Sequence, residues 1–283
     1  MQTPHVPEPH LDNPAFEQNG EAQANAAAIS TRAPLPEAID NLISNDAVEV
    51  FPTCLDQDCL NQLIAERRGI LFRPRHIKPD KGLVFYPGGK VDPRAYAPIA
   101  QSLAQAGVLV ILTPMPDNLA VFGFDRFQDV IADVPEVDRW YLGGHSLGGA
   151  MAVRYAVQNP TELTGLILWG SYVTETIDLS QIDLPVASIY GLRDGVATPE
   201  EIETGKSFLP SDTLYIPLLG ANHAQFGHYG EQEGDQKATI SHELQQRLTV
   251  SATLYAMDAA EQEVTKECII ASCGLQLAPC TGF

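Results

Sequence analysis

Ser146 lies in Gly144-His145-Ser146-Leu147-Gly148, a G-x-S-x-G pattern suited to nucleophilic attack. A serine hydroxyl attacks a carbonyl only when a base removes its proton and the backbone leaves it exposed. The pattern meets the second need by a sharp turn from strand to helix, with the serine at its apex. Glycines at 144 and 148 leave room where the turn brings backbone against backbone. The helix that starts next turns its free amides and dipole toward negative charge growing on the attacked oxygen. The Leu147 amide is therefore one candidate donor to an oxyanion.

A base and an acid must come from elsewhere in the chain. His223, in Leu219-Gly220-Ala221-Asn222-His223, is the candidate base. His228 reads as a structural or rim residue, His242 as exposed on a closing helix, and His5 and His10 belong to a leader. Asp194, between Gly191 and Gly195, is the candidate acid, with Glu175 and Asp178 as competitors. The order Ser146, Asp194, His223 differs from the orders of the chymotrypsin and subtilisin triads. A second oxyanion donor is expected in Pro87-Gly88-Gly89-Lys90, with Gly89 first and Lys90 second. This segment is not a phosphate loop, because Val91 follows Lys90 where serine or threonine is required. The apolar loop Met115 to Phe124 offers Leu119 and Phe122 as walls for an acyl group, and Tyr172 and Phe226 are further pocket candidates.

Apolar runs alternate with helical patterns along the chain. Strands are expected at Val48 to Phe51, Ile70 to Phe72, Leu83 to Tyr86, Val108 to Leu112, Val137 to Leu142, Leu166 to Trp169, Val186 to Tyr190 and Leu214 to Ile216. The first two read as short antiparallel strands outside the main repeat. Helices fit between the later ones: after Asp92-Pro93, from Asp125 to Ala132, from Leu147 to Gln158, and from the capping box at Thr198 to about Phe208. Ile240, Leu244 and Leu248 suggest one apolar face of a closing helix. Such alternation implies an α/β fold, a mostly parallel sheet covered on both faces. Ligands then bind at the carboxyl ends of the strands, and every candidate above follows a strand. Residues 170–185 are too few for a substantial lid.

With 283 residues and 45% hydrophobic content, the chain has enough material for one sizeable core. Residues 1–45, rich in Pro and Ala, read as a flexible leader ending in a turn or two of helix, 46–260 as the catalytic domain, and 261–283 as a cysteine-bearing tail packed on it. The net charge of −19 argues against nucleic acid and anionic membrane surfaces as partners. No run approaches the ~20 apolar residues of a spanning helix. Cysteines 54, 59, 268, 273 and 280 avoid the catalytic motifs, which suits staples better than reactive thiols, and their spacing matches no common zinc module. Disulfides would favour a secreted or periplasmic protein whose signal peptide has been removed, with a cytoplasmic location as the alternative.

The set Gly144-x-Ser146-x-Gly148, Gly191-x-x-Asp194-Gly195 and Asn222-His223 resembles the α/β-hydrolase superfamily. The segments Pro87 to Ala100 and His223 to Asp235 are similar to its fold-5 family, related to dienelactone-hydrolase-like proteins. The resemblance spans roughly Leu71 to Met257. It implies hydrolysis of a small-molecule carboxylic ester, of small or short acyl chain, without a cofactor or metal. Dienelactone hydrolases themselves carry a cysteine nucleophile, so their substrate does not transfer to Ser146. The alternatives are a perhydrolase or acyltransferase using the same residues, and a non-catalytic binding protein on the same fold.

Overall fold

The computed structural model describes residues 31–262. In chain order the elements are α1 (Pro36–Asp40), β1 (Val48–Phe51), α2 (Gln57–Glu66), β2 (Ile70–Pro74), β3 (Lys81–Tyr86), α3 (Ala97–Gln105), β4 (Leu109–Leu112), α4 (Phe127–Ile131), β5 (Arg139–His145), α5 (Leu147–Gln158), β6 (Gly165–Trp169), β7 (Val186–Gly191), α6 (Pro199–Gly205), β8 (Leu214–Leu218) and α7 (His242–Gln262). They build one eight-stranded sheet in the order β1-β2-β4-β3-β5-β6-β7-β8. β1 and β2 run antiparallel to their neighbours, and β4 to β8 are joined through parallel pairings.

Alternation along each strand sends neighbouring side chains to opposite faces, so a strand buried on both sides reads as a continuous apolar run. β3 illustrates this. Leu83 and Phe85 join a core with Ile99 and Leu103 of α3 and Ala256 and Met257 of α7. Val84 and Tyr86 join the opposite core with Phe127 of α4 and Met151 and Tyr155 of α5. Each such side chain, taken fully out of water, contributes about 1.5–3 kcal/mol. The sheet thereby becomes a rigid platform for the loops at its edge. No helix occurs in residues 170–185, as their length suggests.

Several elements differ from the sequence reading. α2 was not anticipated. Its inward face holds only Leu60 and Leu63, and Asp56 starts it by accepting a hydrogen bond from the Cys59 amide at 2.9 Å. Cys54 and Cys59 are joined in a disulfide beside it; Cys268, Cys273 and Cys280 lie outside the described residues. α7 starts after Ile240, runs well past Leu248 and faces inward with Gln245, Thr249, Ala252 and Thr253, while Leu244 is exposed. A helix whose buried face is partly polar gives little apolar periodicity. The polar groups have partners: Thr253 Oγ1 accepts from Trp169 Nε1 at 3.1 Å, and Gln245 bonds the Asn222 backbone. Residues 31–45, read as the end of a flexible leader, are docked on the domain. Arg32 bridges to Val91, and Ala38 and Leu42 are fully buried. Among the described residues no helix is long and apolar enough to cross a membrane.

Candidate functional site

β5 runs straight into the turn, and α5 begins at Leu147. Ser146 between them has φ 53° and ψ −123°, a conformation that costs a residue with a side chain about 1–3 kcal/mol. The surrounding contacts enforce it. The Ser146 amide bonds the Trp169 carbonyl at 3.0 Å. A Cβ on Gly144 would lie 2.4 Å from the Gly148 backbone, and one on Gly148 would lie 2.1 Å from the Tyr86 carbonyl oxygen. Only glycine lets the elbow close onto the loop after β3. The Ser146 side chain does not cap α5, and the residue is partly open to solvent.

Asp194 follows β7 and His223 follows β8. Asp194 Oδ2 lies 2.8 Å from His223 Nδ1, and both side chains are buried. The other oxygen of Asp194 accepts from the amides of Val196 and Ala197 at 2.8 and 2.7 Å. A carboxylate held this way presents one face to the ring, so Nδ1 donates and Nε2 is left as an acceptor. The His223 ring packs against His145, the residue before the serine, with centroids 4.4 Å apart. Gly170, after β6, sits below the pair with φ +45°; a Cβ there would come within 3.0 Å of Asp194 Oδ2 and 3.3 Å of His223 Nδ1. The turn carrying Ser146 and the loops carrying Asp194 and His223 thus converge at one edge of the sheet.

The loop after β3 runs alongside. Gly89 is packed on Leu147, since a Cβ on Gly89 would lie 3.1 Å from a Leu147 methyl. Among the described residues neither the Gly89 nor the Leu147 amide has an acceptor. Lys90, the second choice for a donor, is set aside: its amide donates to the Asn118 carbonyl at 2.7 Å. Leu119 is 8% exposed and lies near Gly89, within reach of a pocket wall. Phe122 is 59% exposed on the same loop, and Tyr172 is half-buried beside Glu201. Phe226 is corrected from pocket wall to core. It is fully buried, stacked on Trp169 and packed against His145. Glu175 and Asp178, the competing carboxylates, do not meet the histidine that Asp194 holds.

Three residues matter that the sequence reading did not assign. Asp235 clamps the Asp194 and His223 loops together, accepting from the amides of Gly195, His223 and Ala224 at 3.0, 3.2 and 2.8 Å. Its sequence signal is slight: an acidic residue after Gly234. Tyr96 and His145 form the second device. The Tyr96 hydroxyl accepts from the Gly88 amide at 3.0 Å and lies 2.8 Å from His145 Nδ1. Among the described residues Nδ1 is the one acceptor beside the hydroxyl's own proton, so the hydroxyl donates to Nδ1. Burial pushes the tyrosine up and the histidine well down in pKa, so both stay neutral. The pair ties the Gly88-Gly89 loop to the elbow. Tyr96→Phe is expected to lower kcat about ten- to a hundredfold with KM changed less than about threefold, since a displaced donor weakens the transition state more than the ground state. Steady-state kinetics on any turned-over substrate checks this.

His242, read as exposed, is instead stacked on His228 with centroids 4.0 Å apart. Burial, then the neighbouring His242, holds His228 down to about 4, and Glu37 opposes this weakly. A depressed histidine favours the fold while neutral. Its contribution is present above the unfolded value of about 6.5 and is lost as pH falls through about 4. Allowing for solvent screening, stability should drop by about 1–2 kcal/mol between pH 6.5 and 4. Urea unfolding at the two pH values measures it, and His228→Gln should remove most of the difference. Among the described residues no three His, Cys, Asp or Glu groups are placed to hold a metal ion.

Comparison with known proteins agrees with this architecture. A family model described as the alpha/beta hydrolase family matches residues 82–247. A stretch of 96 residues is 33% identical to 2-succinyl-6-hydroxy-2,4-cyclohexadiene-1-carboxylate synthase from Enterobacter sp. (strain 638), covering 32% of this chain and 37% of that protein. The match therefore spans little more than a third of that relative's length. Among solved structures, a monoacylglycerol lipase from Paleococcus ferrophilus aligns with TM-score 0.51 at 16% identity, covering 66% of this chain and 98% of its own. TT1662 from Thermus thermophilus aligns with TM-score 0.50 at 12% identity, covering 68% of this chain and 94% of its own. At these identities the two structures speak for the fold alone.

Proposed function

Because the chain belongs to the alpha/beta hydrolase family, we propose that it is a serine hydrolase cleaving small or short-chain carboxylic esters through Ser146, His223 and Asp194. One observation carries the reading: a strained, uncapped, partly exposed serine stands one residue from a ring that packs on the base of a buried His223–Asp194 pair. In the mechanism, His223 Nε2 takes the Ser146 proton as Oγ attacks the ester carbonyl. The Leu147 and Gly89 amides receive the oxyanion, each worth about 2.7–4 kcal/mol in the transition state. His223 returns the proton to the departing alcohol, and the acyl group stays on Ser146. Water, deprotonated by the same imidazole, then releases the acid.

The synthase among the relatives bears another named activity on similar sequence, so turnover decides the matter. A series of p-nitrophenyl esters from acetate to decanoate should show hydrolysis falling as the acyl chain lengthens. A fluorophosphonate probe should label the protein once, on Ser146. No hydrolysis across the series, together with no labelling, would sink the proposal and favour a binding protein on this fold.

A further inference from the structure

We infer that the site selects esters carrying a negative charge, recognised by Arg32 and Lys90 beside the oxyanion loop. This rests on the esterase reading above. The segment carrying Arg32 is fixed to the β3–α3 loop along its backbone. The Arg32 amide donates to the Lys90 carbonyl at 2.7 Å, and the Asp92 amide donates to the Arg32 carbonyl at 3.1 Å. Its Nη1 donates to the Gly89 carbonyl at 3.3 Å. A guanidinium has five N–H donors, and this is the hydrogen bond that the side chain makes among the described residues. Lys90 is next in the chain, in a left-handed conformation with φ 58°. Both residues are half-buried.

Cations are outnumbered in this protein. The chain has 36 acidic residues and 17 lysines and arginines. Several described cations take carboxylates, as Arg67, Arg73, Arg94 and Lys206 do, while others such as Arg126, Arg154 and Arg193 take none among the described residues. Arg32 and Lys90 have no carboxylate partner among the described residues. The acids of this loop and of the Ser146 site are engaged elsewhere: Asp92 holds Arg94, Asp235 holds backbone amides, and Asp194 holds His223. The Arg32 charge reaches inward as well: it opposes the burial that raises Tyr96 and Tyr229 and adds to the burial that lowers His145. Two cations without a carboxylate partner among the described residues, one bonded to Gly89 and the other next to it in the chain, form a local anion trap in an acidic protein, and the remaining N–H donors of the guanidinium suit a carboxylate or phosphate.

A bland role competes with this one: Arg32 as a strut that only fastens the leader to the loop. Two matched ester pairs separate them. The first is mono-p-nitrophenyl glutarate against its methyl ester, with the charge on the acyl side. The second is 4-acetoxybenzoate against its methyl ester, with the charge on the leaving side. At low ionic strength kcat/KM should favour the anionic member of at least one pair by about tenfold or more, the size of one partly exposed charge contact. The preference should shrink with added salt. It should fall about tenfold in Arg32→Gln, fall in Lys90→Gln, and largely survive in Arg32→Lys. Indifference to charge in both pairs overturns the inference, as does a proportionate loss on both members in Arg32→Gln, which is the strut's signature. Lack of turnover of all four esters would sink the esterase reading itself and this inference with it.

Discussion

Ser146→Ala should lower kcat about 10⁶-fold on a p-nitrophenyl ester that the wild type hydrolyses, leaving the weak rate that bound substrate and the oxyanion donors sustain alone. The loss is large because the hydroxyl forms and breaks the covalent bond. With it absent, the proton path through His223 has nothing to activate. The fold should survive. Alanine keeps the Cβ that already occupies the φ 53° conformation, and the Ser146 amide still bonds the Trp169 carbonyl. Circular dichroism and thermal unfolding should therefore match the wild type within a few degrees, while probe labelling disappears. A companion variant sharpens the point. Ser146→Gly removes the same hydroxyl but also relieves the backbone strain, so it should be as inactive as alanine and yet more stable by about 1 kcal/mol. Loss of activity with gain of stability at one position is what a strained functional residue predicts. Retention of more than a few per cent of activity in Ser146→Ala would place the nucleophile elsewhere.

The arrangement of the candidate site was legible where its residues are constrained locally. Gly144 and Gly148 must be glycine for the elbow to close on Tyr86 and on each other, and the turn they make is written within five consecutive positions. Asp194 and His223 were legible by their place after strands. The sheet was legible because strands such as β3 feed two cores and so read as unbroken apolar runs. What escaped depends on partners distant in the chain. Tyr96 is an ordinary aromatic until the Gly88 amide and His145 meet its hydroxyl. Asp235 is an ordinary loop acid until three amides converge on it. Arg32 was hidden inside a segment read as flexible, because composition does not reveal the strap of backbone bonds to Lys90 and Asp92. Phe226 was misplaced for the reverse reason: an aromatic near a catalytic loop has the same sequence signature whether it faces substrate or core, and burial against Trp169 decides it.

Asp194→Asn should cost about 10⁴-fold in kcat near neutral pH while leaving the site assembled. The argument turns on where the new NH₂ must go. One oxygen of Asp194 accepts from the Val196 and Ala197 amides, and an amide nitrogen placed there would set donor against donor. The asparagine therefore keeps its oxygen on those amides and turns its nitrogen to His223 Nδ1, 2.8 Å from the present carboxylate oxygen. Nδ1 must then accept, which moves the ring proton to Nε2. An imidazole protonated at Nε2 cannot take the Ser146 proton, and the imidazolium formed in the transition state loses its counter-charge. The volume is unchanged in a fully buried position, so unfolding should shift modestly. Asp194→Ala differs: it leaves buried amides and a buried ring nitrogen without partners, each loss costing about 1–3 kcal/mol, and should lose stability as well as rate. Raising the pH should restore part of the Asp194→Asn rate, because hydroxide can remove the misplaced Nε2 proton, whereas it should not restore Ser146→Ala. If Asp194→Asn keeps more than about a tenth of wild-type kcat at pH 7, the carboxylate is a structural clamp and another group orients the base.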